Sequence, residues 1–365
     1  MFPRTFPRRA SVTLFAASAL ACGAEQPRAE PPPAPSATTA APLPATTPGP
    51  APSASVPAPP APKAPLSELK KRAVEGLRAA FNAGDAKALA ELYSDRASVR
   101  SPSSTGWKET TGRAAIVAGH EALFKAMPGL KMGTESVWSR DDIAIWTWVC
   151  AGEVEGKKVG FLGASVLWFG ADGRIEKDHT YFDTLTIAGQ LGKLPKTVKV
   201  RAPAFLPSGD GFWREHPEGG KPSQALERAM RPYAALERGY EKALLAALDD
   251  KMDYQRTSAP GSLVPTTAAK AFKSFRTAFT DPKLTAERSW EIDGIVASEM
   301  VLTGTYNPPA ASKATPAKKV TVHFLDVIGV VGSADVPRGF ITGGTTYDNG
   351  AELEAQVAAA AGGGG

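Results

Sequence analysis

The segment GRIEKDHTYFD, residues 173–183, brings an acid, an imidazole and a phenol close together on a pattern that predicts a β-strand. A buried carboxylate can act as a general base on a carbon acid when hydrogen-bond donors stabilise the enolate oxygen. Asp178, His179 and Tyr181 are therefore the candidate catalytic residues. The alternative is a polar strand surface that faces solvent or another domain, with Tyr181 in the core, and such surfaces are common.

Candidate ligand-pocket residues lie on the elements around this segment. Trp146 and Trp148 share one sheet face of the strand IAIWTWVC, because successive side chains of a strand alternate. They either line an apolar pocket or fill the domain core. Tyr93 and Thr180 supply hydroxyl groups that could complete such a pocket as hydrogen-bond donors.

The sequence contains no pattern for a metal or a cofactor, and we expect neither. Its four histidines and two cysteines are scattered at spacings that form no ligand set. Cys150 ends an apolar strand pattern, which predicts a buried, unreactive thiol. His120, in a predicted helix, and His216, in a predicted connector, are assigned no chemical role.

The N-terminus has the pattern of a bacterial export signal. Three arginines precede the apolar run ASVTLFAASALA, which is too short to span a bilayer and is followed by Cys22. The tetrapeptide ALAC resembles the lipobox of bacterial lipoproteins, whose cysteine is lipidated. We expect residues 1–22 to be a lipoprotein signal peptide. Cys22 is then expected to anchor the exported protein to a membrane of the bacterial cell envelope, namely the outer membrane. Plain cleavage, which leaves a secreted protein, is the alternative.

Residues 23–65 are dominated by Pro, Ala, Ser and Thr, a composition that forms no core and favours extended polyproline II. We expect a disordered tether that holds a globular head away from the membrane. The formal net charge of the chain is +5, and the three arginines of the leader account for much of it. The rest of the chain has no basic stripe with interleaved aromatic residues, so nucleic acid is not an expected partner.

The head contains one order of elements twice. In a first domain at 66–192, apolar residues at helical spacing precede strand patterns that end with RIEKDHTYFDTLTIAGQLG. A second domain at 223–357 repeats this order with SQALERAMRPYAALERGYEKALLAALDDKMDY, KKVTVHFLDVIGVV and GFITGGTTYDNGAELEAQV. The connector at 193–222 keeps aromatic residues, which predicts that it packs on the domains, and residues 358–365 are expected to form a flexible tail.

Two motifs of the first domain carry a family resemblance. GRAAIVAGHEALFKAMPGLK and DGRIEKDHTYFDTLTIAGQLG resemble SnoaL-like polyketide cyclase and ester cyclase domains of the nuclear transport factor 2-like superfamily, which includes ketosteroid isomerases. The second domain resembles them more faintly. The resemblance implies an α+β fold of two tandem cone-shaped domains, each with three helices packed on a curved antiparallel sheet around a pocket. Family members commonly pair through the convex sheet face, so the two domains are expected to pair as a pseudo-dimer.

The resemblance also assigns positions on the last strand of the first domain. SnoaL-like cyclases place a histidine and then an acid there, two residues apart, and these positions fall at Asp178 and Thr180. The order of the family is therefore lost in this chain. Because strand side chains alternate, His179 points away from any pocket that Asp178 enters.

In the second domain the corresponding positions hold Gly344 and Thr346. That domain is therefore expected to be degenerate, with no ionisable group at these two positions. His323 and Asp326 lie three positions apart on a predicted strand, so we expect them on opposite faces and not as a pair.

Two hypotheses about function follow. In the first, the chain is a membrane-tethered lipoprotein whose domains bind a small apolar ligand or serve as an interaction module, without catalysis. In the second, the first domain is a cyclase or isomerase that acts on a small carbonyl compound through general acid–base chemistry. We favour the first, because the family's histidine–acid pair is absent, the second copy lacks an acid at these positions and the protein is tethered.

Overall fold

The computed structural model describes residues 64–196, 198–216, 224–259, 262–308, 317–330 and 341–361. The predicted signal peptide with Cys22, and the predicted tether except for its last two residues, lie outside these ranges. Part of the connector and the last four residues of the predicted tail also lie outside them. Among the described residues, no helix is both long and apolar enough to cross a membrane.

The first domain contains the expected mixture of helices and strands, with one helix more than predicted. Its helices are α1 (Leu66–Ala83), α2 (Ala86–Glu91), α3 (Arg113–Ala126) and α4 (Thr184–Gln190). Its strands are β1 (Tyr93–Ser103), β2 (Gly106–Thr111), β3 (Lys131–Arg140), β4 (Ile143–Val154), β5 (Lys157–Phe169) and β6 (Ile175–Phe182), and the connector adds β7 (Phe212–Glu215). The extra helix, α4, occupies the end of the last predicted strand. It begins there because the Asp183 carboxylate accepts hydrogen bonds from the amides of Leu185 and Thr186.

The seven strands form one sheet in the order β2-β1-β6-β5-β4-β3-β7. Its neighbours are antiparallel except for two parallel pairs, β1 with β6 and β3 with β7. The resemblance implies an antiparallel sheet, and the structure differs from it at these two parallel pairs. The parallel contact between β1 and β6 is important for the site, because it brings the start of the domain beside its last strand.

The second domain repeats this architecture. Its helices are α5 (Ala225–Arg238), α6 (Glu241–Ala247), α7 (Pro265–Ala278) and α8 (Gly350–Ala361), and its strands are β8 (Leu248–Arg256), β9 (Ser262–Leu263), β10 (Phe279–Ile292), β11 (Ile295–Tyr306), β12 (Lys318–Val330) and β13 (Ile341–Asp348). The sheet order β10-β11-β12-β13-β8-β9 is that of the first domain, read from β3 to β2. Helix α8 continues to Ala361, beyond the start of the predicted tail.

Equivalent glutamines, Gln190 and Gln356, hydrogen-bond to the sheet in the same way in the two domains. The Gln190 amide makes two 2.9 Å hydrogen bonds with the backbone of Gly160 on β5. The Gln356 amide makes the same pair of contacts with Thr321 on β12. Shared strand order and shared closing contacts are what a tandem duplication produces.

Each sheet has one face toward its own helices and one toward the other domain. In the first domain, Val74 and Phe81 of α1 pack with Trp148 on the helix-facing side. On the other side, one buried cluster joins the two sheets and contains Ile145, Val166 and Tyr181 of the first domain and Leu325 and Tyr347 of the second. We refer to residues 66–190 as the first cone and to residues 225–361 as the second cone.

Candidate functional site

Strand β6 divides its polar residues between two environments. Asp178 and Thr180 face the cavity of the first cone, whereas His179 and Tyr181 face the second cone. This is the alternation that a strand requires. Asp178 and His179 are both only 5 % exposed, so neither belongs to a solvated surface.

The Asp178 carboxylate is held by hydroxyl groups inside the first cone. Tyr93 donates to its Oδ2 and Thr180 donates to its Oδ1, each at 2.8 Å. The Ser165 hydroxyl lies 3.0 Å from that of Thr180. Burial raises the pKa of Asp178, and the hydrogen bonds from Tyr93 and Thr180 oppose this rise. Burial and the neighbouring Asp178 also raise the pKa of Tyr93, so its phenol stays protonated as a donor.

A cavity of about 100 Å³ lies in front of this carboxylate. Trp146 and Trp148 form part of its wall, with Phe81, Leu123 and Phe182. Both indoles are anchored, since Trp146 Nε1 donates to Thr134 at 3.2 Å and Trp148 Nε1 donates to Ser165 at 3.4 Å. The Trp148 ring lies over Gly163, where an added Cβ would meet it at 2.1 Å. The four predicted pocket residues, Tyr93, Trp146, Trp148 and Thr180, thus line one cavity with Asp178.

Sequence reasoning assigned no role to His120, yet this residue also lines the cavity. It donates from Nδ1 to the carbonyl oxygen of Ile116 at 2.9 Å, which leaves Nε2 as the acceptor of a neutral ring. Burial lowers the pKa of His120, which favours that neutral form. Helical spacing contained the signal, because His120 lies four residues after Ile116 and three before Leu123 on the buried face of α3. Cys150 lines the same cavity, and burial raises the pKa of its thiol.

The predicted catalytic cluster is not a single site. His179 and Tyr181 both donate to Oε1 of Glu299 on β11, Tyr181 at 2.7 Å, while Arg288 donates to Oε2 at 2.9 Å. Burial raises the pKa of Glu299, but the hydrogen bond and charge of His179 hold it below the ordinary value. The structure therefore separates His179 and Tyr181 from Asp178 by the thickness of the sheet, because neighbours on a strand point to opposite faces.

The second cone has no ionisable group at Gly344 and Thr346, but it has one at a position to which the sequence analysis assigned no chemical role. Asp326 on β12 lines a cavity of about 470 Å³ and accepts hydrogen bonds from Tyr233 and Tyr254. Asp326 is not at Gly344 or Thr346, the positions that correspond to Asp178 and Thr180. His323 lies apart from Asp326, as expected, and interacts with Glu352.

The described part of the chain contains no group of three or more His, Cys, Asp or Glu side chains that could hold a metal ion. The first cavity is lined by side chains of several chemical types. It offers one buried acid, hydroxyl donors and a neutral imidazole around an apolar space. Such a set can bind an apolar molecule, and it can also move a proton.

Several solved structures are similar to part of this chain. A protein with a ketosteroid isomerase-like fold from Catenulispora acidiphila, in complex with trimethylamine, is 19 % identical; the match covers 34 % of this chain and 93 % of that one, with a TM-score of 0.31. IdmH from Streptomyces antibioticus, described as a polyketide cyclase, is 21 % identical over 34 % and 98 % of the two chains, with a TM-score of 0.30. A protein from Jannaschia described as a SnoaL-like polyketide cyclase is 16 % identical over 37 % and 99 %, with a TM-score of 0.32.

No curated protein matches the chain. Residues 74–177 match the family model of the SnoaL-like domain. The match begins in α1 and ends in β6, so it contains Tyr93, His120 and both tryptophans of the cavity wall. Most of the first cone of this chain therefore matches the SnoaL-like domain.

Proposed function

We propose that the protein is an exported, membrane-tethered binding protein whose first cone holds a small apolar molecule. The observation that carries this proposal is the cavity of about 100 Å³, lined mainly by aromatic and aliphatic side chains with Asp178 at its polar end. Apolar cavities of about 150 Å³ in other proteins stay dry and bind benzene. Burial of the apolar surface of the ligand provides the affinity, and the polar end selects its orientation.

The contacts of Asp178 support binding over catalysis. Both carboxylate oxygens already accept hydrogen bonds from Tyr93 and Thr180 within the protein. His179 and Tyr181, which could have assisted proton transfer, are engaged with Glu299 on the opposite face of the sheet. On its own strand, Asp178 therefore has no second acid or base that faces the cavity.

The binding proposal is tested with benzene and isothermal titration calorimetry. Trp148→Ala should weaken benzene binding by about 1–3 kcal/mol, because the ring forms part of the cavity wall. Trp168→Ala is the matched control, since Trp168 lies on β5 but contacts His179 and Trp290 on the other face. Absence of benzene binding to the wild-type protein, or an equal effect of both substitutions, would contradict the proposal.

A second function, proton transfer on a small carbonyl compound, is favoured by one specific observation. Asp178, whose pKa is raised by burial, shares its cavity with the neutral imidazole of His120. These two groups could serve as base and acid in place of the family pair. Turnover of small ketones or enones that Asp178→Asn lowers by about 100-fold or more, the range for loss of a general base, would replace the binding proposal with this one.

The location of the protein is proposed from Cys22 and the residues before it. A lipidated Cys22 followed by a Pro-rich tether at 23–65 would hold both cones away from the membrane surface. Cys22→Ala should abolish labelling with a fatty-acid analogue and leave unprocessed precursor. Normal processing of the alanine variant would instead indicate a secreted, unanchored protein.

A further inference from the structure

The inside of the second cone contains a larger cavity than the inside of the first. It measures about 470 Å³, against about 100 Å³ in the first cone, and this falls in the range of about 300–1,000 Å³ that is usual for ligand pockets. Its wall is mainly aromatic and aliphatic, with Phe272, Phe275, Phe279 and Phe324 among the lining residues. The family model does not extend to this part of the chain.

Four oxygen-bearing side chains from four different elements meet in this cavity. Asp326 of β12 accepts hydrogen bonds from Tyr233 of α5 and Tyr254 of β8. Thr346 of β13 donates to Asp326 at 3.2 Å and lies 2.7 Å from the Tyr254 hydroxyl. An acid that is only 1 % exposed and bound from three directions is a built polar group at one place in an otherwise apolar wall.

The strand register shows that Asp326 and Asp178 lie at different positions of the shared fold. Ser165 pairs with Thr180 in the first cone, and Asp326 pairs with Thr346 in the second, so Asp326 occupies the position of Ser165. Gly344 pairs with Tyr254 on β8, and Asp178 pairs with Val99 on β1. Because β8 and β1 are equivalent strands in the two sheets, Gly344 occupies the position of Asp178.

The glycine at that position has a physical reason. A Cβ on Gly344 would lie 2.7 Å from the carbonyl oxygen of Val327 and 3.0 Å from the Tyr254 ring. The tyrosine therefore occupies the space that an acid on β13 would need. The second cone therefore has no space for an acid at this position of β13, and its acid lies on β12 instead.

The charges around the cavity favour a neutral ligand. Arg256 donates to Asp348, and Ser258 also binds this carboxylate. Burial raises the pKa of Asp348, but Arg256 holds it below the ordinary value, so this pair is neutralised internally. Burial raises the pKa of Asp326 to about 8, with a smaller contribution from Asp348, so near neutral pH Asp326 carries a proton that it can donate.

We propose that the second cone is a separate binding site for a neutral, apolar molecule larger than the ligand of the first cone, with one oxygen that accepts a hydrogen bond from the cluster of Tyr233, Tyr254 and Asp326. This goes beyond the function proposed for the first cone and does not depend on it. The phenylalanines enclose the apolar body, and the hydroxyl groups receive a carbonyl or ether oxygen. If the ligand has no such oxygen, these side chains keep their hydrogen bonds with one another, and only burial of apolar surface contributes to the affinity.

The test compares two probes of nearly equal shape, 2-acetylnaphthalene and 2-isopropylnaphthalene, by isothermal titration calorimetry with the full-length protein. Wild-type protein should bind the ketone about tenfold more tightly than the hydrocarbon, which is the effect of one to two hydrogen bonds. Tyr254→Phe should lower this preference about threefold or more and leave the affinity for the hydrocarbon unchanged. Tyr93→Phe, the same substitution in the first cone, should leave the preference intact.

A second variant keeps the test informative if the loss of a tyrosine unfolds the second cone. Ala271 lies on α7 in the cavity wall and is only partly buried, so Ala271→Phe should fill the cavity and weaken both naphthalene probes by tenfold or more. Failure of the wild-type protein to bind either naphthalene, or sensitivity to Tyr93→Phe in place of Tyr254→Phe, overturns the proposal. Benzene binding that depends on Trp148 is read out separately, so this failure and that of the first-cone function remain distinguishable.

Discussion

The two cones share one strand order but carry their buried acid on different strands. Asp178 lies on β6, whereas in the second cone Gly344 holds that position and the acid is Asp326 on β12. Both acids nevertheless accept hydrogen bonds from a tyrosine and a threonine. The fold therefore determines where the polar end of the cavity lies, while more than one strand can provide the acid.

The two cones also differ on the strand next to the one that carries Asp326 or Ser165. The register places Ser298 and Met300 of β11 at the positions of Trp146 and Trp148. Two smaller side chains leave space that the indoles fill in the first cone, although Phe324, at the position of Gly163, restores part of the bulk.

The largest expected effect concerns the interface, where the cones also differ. Glu299 of β11 and Thr147 of β4 are equivalent positions, but only Glu299 is charged and holds three partners. Glu299→Ala should lower the free energy of unfolding by about 3–5 kcal/mol, because it leaves a buried histidine and tyrosine without their acceptor. Thr147→Ala, the matched change, should cost about 1 kcal/mol. Urea unfolding measures the free energy of unfolding of both variants. Equal losses would mean that the Glu299 carboxylate does not stabilise the interface between the cones.

The pH dependence of this effect has a definite sign. The pKa of Glu299 is lower in the folded protein than its ordinary value of 4.5, so its contribution is fully present above that value. The contribution is lost as the pH falls through the folded pKa. The difference in stability between wild type and Glu299→Gln should therefore shrink below about pH 4.

A second prediction restores the arrangement of the first cone in the second. Gly344→Asp should lower the free energy of unfolding by about 2–3 kcal/mol, because the new side chain meets the Tyr254 ring and the Val327 carbonyl. Adding Asp326→Ser and Tyr254→Val, the residues of the first cone at these positions, should recover most of that loss. If the triple variant is as unstable as Gly344→Asp alone, Tyr254 and Asp326 are not the reason that position 344 excludes an acid.

Much of the first site could be predicted from the sequence, because it depends on one strand. The alternation of β6 is enough to place Asp178 and His179 on opposite faces, whichever faces these are. The α4 helix was missed for a local reason, since the Asp183 cap overrides the strand pattern that follows it. His120 was missed because a lone histidine on a helix face shows its role only when the facing strand is known.

The remaining features depend on contacts between distant parts of the chain. Glu299 lies 120 residues after His179, and no local pattern connects the two. Asp326 was not recognised because the comparison of the copies assumed that an acid stays at its aligned position. Its role requires the register of β12 against β13, together with Tyr233 and Tyr254 from two other elements.

A third prediction uses the proton on Asp326, whose pKa in the folded protein is about 8. The groups around it are Tyr233, Tyr254 and Thr346, with the Arg256–Asp348 pair nearby. The affinity for 2-acetylnaphthalene should fall by up to about tenfold between pH 6 and pH 9, because ionised Asp326 loses its donor and faces the ketone oxygen with a negative charge. The affinity for 2-isopropylnaphthalene should stay constant. An equal fall for both probes would indicate a general loss of structure.

The smallest effect is expected from Asp178→Asn in the first cone. An asparagine has nearly the shape of the acid, its oxygen can still accept from Tyr93, and its amide can donate to the Thr180 hydroxyl, which both donates and accepts. Benzene offers no hydrogen bond, so its affinity should change by less than about threefold, since the apolar wall provides the binding energy. Asp326→Asn should, by contrast, change the preference for the naphthyl ketone. If Asp178→Asn instead weakens benzene binding by more than tenfold, the acid shapes the first cavity as Asp326 shapes the second, and the two cones work in the same way from different strands.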